Sequence, residues 1–80
     1  MILTCELNKE KNTVEIVFNK DGILLLKEIL EDLSLNNKET ISHVHLKTKE
    51  WGGNELSSNV MGENNSIINH MKFILIDEPS

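Results

Sequence analysis

His43 and His45 stand two residues apart in His43-Val44-His45-Leu46, and His70 lies further along the chain. On a strand, side chains two apart leave the same face. Three imidazoles on one face can hold zinc and leave a fourth position for water. No Asp, Glu or Cys is spaced beside them as an obvious further ligand, so the pattern equally suits an ordinary polar strand face. Cys5 is the only thiol. Its parity turns it toward the core, where cysteine behaves as a small inert hydrophobe. No serine occupies a Gly-x-Ser-x-Gly turn. The Gly52-Gly53 pair lacks the longer glycine pattern and following basic residue that cradle phosphate. The chain is therefore expected to carry no catalytic residue, cofactor or dedicated metal centre, and not to be an enzyme.

Trp51, the only tryptophan, precedes that glycine pair. One role is structural: the indole folds over the end of the sheet, and the glycines supply the positive φ of a turn. The other is a binding anchor, a use for which tryptophan is enriched. The two roles are compatible if one ring face packs and the other stays open.

These residues need elements to position them. Ile2 to Leu7 alternates, with Leu3, Cys5 and Leu7 on one face. Thr13 to Phe18 alternates likewise, and the short polar turn between them predicts an antiparallel hairpin. Asn19 is a good helix N-cap and Asp21 suits the first turn. Apolar residues at 23, 26, 30 and 33, flanked by Leu25 and Ile29, predict a helix ending near Leu33 to Leu35, before the turn-like Asn36-Asn37-Lys38. Gly22 is costly in a first turn unless the helix approaches the sheet closely there. Ile41 to Thr48 and Ile67 to Ile76 read as strands. Residues 49–66 show no clear period, a loop long enough to suggest function, with a short helical turn possible around Glu55 to Asn59. The tail from Asp77 to Ser80 should fray.

The predicted fold is a single α+β domain over residues 1–80, a two-layer β-β-α-β-β arrangement with one helix on one face of a four-stranded, mainly antiparallel sheet. Strand order stays open. Parity sends Leu3, Cys5, Leu7, Val14, Ile16, Phe18, Val44, Leu46, Met71, Phe73 and Leu75 toward the helix. It sends Glu6, Glu15, His43, His45, Lys47, His70 and Lys72 to a face that one helix cannot cover.

The chain holds 13 acidic residues against 8 lysines, no arginine, and a net charge of −5. Nucleic-acid binding needs clustered cations and is not expected. No apolar run approaches the ~20 residues of a membrane span. The opening segment is no secretory signal, and one cysteine forms no internal disulfide, which together predict a cytoplasmic protein. A domain this small buries roughly 60% of its unfolded surface, so its core is thin and dimerisation would help it.

The string His43-x-His45-Leu46, then Glu50-Trp51-Gly52-Gly53-x-Glu55-Leu56, Gly62 and Ile67-Ile68-x-His70 resembles the immunity protein 32 family of bacterial polymorphic toxin systems. The helix opening Asp21-Gly22-Ile23-Leu24 leading to Leu30 is similar to that family's helix start. The resemblance implies a protein that binds and neutralises a cognate toxin by steric and electrostatic blockade. An acidic surface would suit a basic nuclease. The expected contact surface is the uncovered face and the loop, with Trp51, His43, His45, Glu55 and Glu63 as its residues. The alternatives are a metal-binding module or metal-dependent enzyme using His43, His45 and His70, and a homodimer joined through sheet faces or edge strands.

Overall fold

The computed structural model describes residues 1–35 and 41–76. The expected turn at Asn36-Asn37-Lys38 and the expected fraying of the tail lie outside the described residues. Strands β1 (Leu3–Asn8) and β2 (Thr13–Phe18) form the antiparallel hairpin in the register Leu3↔Phe18 to Asn8↔Thr13. Helix α1 (Lys20–Ser34) follows, then β3 (Ile41–Lys47), a 3₁₀ turn (Lys49–Trp51), β4 (Asn65–Ile67) and β5 (His70–Ile76). The α+β class and the antiparallel pairing are as expected; the single four-stranded sheet is not. The strands form a three-stranded sheet ordered β2-β1-β4 and a two-stranded sheet of β3 and β5.

The long loop causes the split. The strand expected over 67–76 changes partner midway. Ile67 pairs with Glu6 of β1, whereas His70 pairs with Lys47 of β3. The edge of β1 beyond Cys5 is taken by Ser57, whose N–H donates to the Leu3 carbonyl at 2.7 Å and whose hydroxyl accepts from Leu3 N–H at 3.2 Å. Leu56, its neighbour, bonds to Lys47 O and bridges to Thr48 in parallel. Residues 56 and 57 thus sit between β1 and β3 and keep the two sheets apart. The loop is therefore well bonded. Its one helical turn falls at Lys49–Trp51, not around Glu55 to Asn59.

The fully buried apolar centre is small: Leu3, Cys5, Leu46 and Leu56. Leu25, Leu26 and Ile29 of α1 pack on it with Val44, Ile68, Met71 and Phe73. Parity holds at Leu3, Cys5, Val44, Leu46, Met71 and Phe73, while Ile68, of the same parity as His70, also packs inward. At β2 the face is as expected but the burial is not: Val14, Ile16 and Phe18 stay exposed on this outer strand of the sheet. The buried side of α1 also includes Gly22, while Leu30 stays 40% exposed.

The larger correction concerns Glu6. Instead of lying on an open face, it is completely buried. The loop covers it and supplies Met61 N–H at 3.1 Å, Gly62 N–H at 3.0 Å and Asn65 Nδ2 at 3.0 Å, and Thr4 of β1 itself adds its hydroxyl. Burial alone would raise its pKa. The hydrogen bonds from Thr4, Asn65, Gly62 and Met61 outweigh that and hold the carboxyl at about 2, so it stays ionised.

Candidate functional site

The uncovered face survives on the two-stranded sheet. Val44 and Leu46 point into the core, so His43, His45 and Lys47 leave the opposite side. The register Lys47↔His70, His45↔Lys72, His43↔Ile74 places β5's contribution beside them. His45 and His70 are diagonal neighbours, a relation that long or aromatic side chains can span. Their rings stack with centroids 4.9 Å apart at 29°, and His45 Nδ1 lies 2.7 Å from His70 Nε2. His43 meets His45 edge-on at 5.0 Å. At 2.7 Å one of the two facing nitrogens must carry the hydrogen and the other accept it. Local desolvation, then the like charges of His70, His43, Lys72 and Lys47, push the His45 imidazole below its ordinary 6.5. His45 is thus biased toward the neutral ring, which offers a stacking surface and a hydrogen-bonding nitrogen.

Trp51 extends the row, with its ring centroid 6.3 Å from that of His70. It is 55% exposed, so the capping role expected for the indole is not a buried one. The turn holding it is fixed through Thr48, itself completely buried. The Thr48 carbonyl accepts from Trp51 N–H and Gly53 N–H, each at 3.0 Å. The Thr48 N–H donates to Asn69 O at 3.0 Å, and its hydroxyl donates to Asn69 Oδ1 at 2.7 Å. Gly52 has φ 88°, the positive value expected of the glycine pair. Gly53 serves differently: an added Cβ would fall 2.6 Å from Lys47 Cβ. Periodicity gave no sign of the Thr48–Asn69 pairing, since two short polar residues at strand ends look like any turn.

The carboxylates on this side are engaged. Glu55 Oε1 accepts from Lys47 N–H at 3.1 Å and secures the end of β3. Glu50 takes the Ser58 hydroxyl at 2.7 Å and 3.0 Å, a bond that lowers its pKa. The structure therefore brings together His43, His45, His70 and Trp51, with Glu55 beside them. Glu63 lies elsewhere on the loop, next to Gly62 in the turn that clasps Glu6. Cys5 is buried on the other sheet, where burial and then the Glu6 charge push its thiol pKa up.

Among the described residues, no group of three or more His, Cys, Asp or Glu is arranged to hold a metal ion. No helix among them is long and apolar enough to cross a membrane. Comparison with known proteins finds no matching family model, no similar curated protein and no similar solved structure.

Proposed function

We propose that this chain is an immunity-type inhibitor that binds a cognate bacterial toxin in the cytoplasm through the face built from Trp51, His43, His45 and His70. The observation that carries the reading is Trp51: a large, half-open aromatic on a turn fixed by three backbone hydrogen bonds, next to a row of imidazoles in ring-to-ring contact. Such an anchor loses little conformational freedom on binding, which is how a small patch supports affinity. The resembling string also behaves as one unit. Its leucines, Leu46 and Leu56, are core, and Glu55 and the glycines fix the backbone. The histidines and tryptophan face outward. Glu55 borders the proposed contact surface through its bond to Lys47 N–H, whereas Glu63 lies apart from it in the turn over Glu6.

Charge divides the work. The net charge of −5 draws a cationic toxin such as a basic nuclease over distance, an effect that weakens with salt. The face itself carries Lys47 and Lys72 beside the histidines, so close contact there is aromatic and hydrogen-bonded and the blockade is steric. Binding of the toxin encoded by the neighbouring gene, followed by calorimetry, tests this. Trp51→Ala should weaken binding about 30-fold or more, equivalent to about 2 kcal/mol. Unchanged affinity in both Trp51→Ala and His45→Ala would remove this face from the mechanism.

The alternative is a metal-binding module using His43, His45 and His70, against which the 2.7 Å gap between His45 Nδ1 and His70 Nε2 stands, a hydrogen-bond distance shorter than the roughly 3.3 Å between two nitrogens on one tetrahedral zinc. Elemental analysis after zinc loading at neutral pH decides it. One equivalent of zinc retained by the native chain and lost in His45→Ala supports it, and no retained metal ends it.

A further inference from the structure

We infer that two copies of this chain associate through β2, pairing antiparallel about a two-fold axis at Ile16 to give a continuous six-stranded sheet. Among the described residues β2 pairs only with β1, so its outer edge leaves backbone donors and acceptors free. The strand also carries Val14, Ile16 and Phe18 on one face, exposed by 55%, 40% and 42%. Their partners across the hairpin, Leu7, Cys5 and Leu3, continue that face inward to the core. The apolar layer thus stays exposed on the outer strand and stops at an open edge. A domain of this size, with a buried apolar centre of four among the described residues, gains more from extending this layer than a larger domain would.

The sequence of β2 selects a second copy as the occupant. A two-fold pairing is self-complementary, so each residue must tolerate its partner in the same strand. With Ile16 on the axis, Val14 faces Phe18 and Glu15 faces Val17. The apolar side chains of both copies then share one face and no like charges oppose. Moving the axis to Glu15 would set two carboxylates against each other. The histidine row lies on the other sheet, so this association leaves the proposed toxin-binding face open.

Sedimentation of the full chain from about 1 µM to about 500 µM tests the inference. A reversible dimer is expected with a dissociation constant of about 10–100 µM, as suits an interface at the small end of the range. Ile16→Lys should weaken it at least 10-fold. Ile16→Thr keeps a strand-forming residue and should weaken it by about 3-fold or more, which covers the case of misfolding in the lysine variant. In the native chain, amide exchange in β2 should slow as concentration rises. A monomer at every concentration overturns the inference. So does a dimer that neither substitution weakens, or one whose β2 amides exchange at a concentration-independent rate.

Discussion

Replacing Glu6 with alanine is expected to lower the unfolding free energy by about 3–5 kcal/mol, the range for dismantling a buried ionic hydrogen-bond network. For an 80-residue domain whose total is on the order of 4–12 kcal/mol, that is a large fraction. The substitution strands four donors at once: Met61 N–H, Gly62 N–H, Asn65 Nδ2 and the Thr4 hydroxyl. Glu6→Gln keeps the shape but loses the charge and turns one acceptor into a donor facing donors, so it should cost about 2–3 kcal/mol. Acid provides the check. The folded pKa of about 2 lies below the ordinary 4.5. The carboxylate's contribution is therefore fully present above 4.5 and is lost as pH falls from 4.5 toward 2. Urea unfolding should show the gap between native chain and Glu6→Gln closing over that window. A gap of equal size at pH 7 and pH 2.5 would mean that ionised Glu6 is not what holds the loop.

How much of this was legible in the sequence depends on which bonds each element uses. The hairpin and helix were readable because local pattern decides them: alternation in β1 and β2, a side-chain cap at Asn19, apolar spacing in α1. The histidine row was readable for the same reason, since parity on β3 and β5 is a local property. Glu6 was misread because parity says which side a residue leaves, not what arrives there. Nothing in Leu3-Thr4-Cys5-Glu6 announces that residues 61 to 65 will close over it. The split sheet was missed for a related reason. Ile67 to Ile76 alternates as one strand, and only the capture of Leu3 by Ser57 decides that its two ends serve different sheets. Long-range backbone bonds from a loop leave no period behind.

Gly22→Ala offers a test in which two effects of opposite sign compete. In an exposed helix interior, alanine is favoured over glycine by about 1 kcal/mol, so propensity alone predicts a stabilised protein. Gly22, however, is buried in the first turn of α1 with the chain's opening residues against it. A Cβ there would overlap the Ile2 carbonyl oxygen, lie 2.8 Å from the Ile2 carbonyl carbon and 3.0 Å from Phe18 Cβ. Backbone cannot rotate away as a side-chain tip can. The Ile2 carbonyl is also held, accepting from Asn19 N–H at 3.2 Å, while Asn19 Oδ1 accepts from Ile2 N–H at 3.0 Å and from Gly22 N–H at 2.9 Å. Relieving the overlap therefore disturbs the N-cap, whose loss costs about 1 kcal/mol, and repacks the helix against β1, at about 1–3 kcal/mol. These outweigh the propensity gain, and a net loss of about 1–3 kcal/mol is expected in chemical unfolding. Lys27→Ala, on the exposed side of the same helix, should change stability by less than about 0.5 kcal/mol. A Gly22→Ala protein more stable than the native chain would show that propensity, not the close approach to Ile2, governs this position.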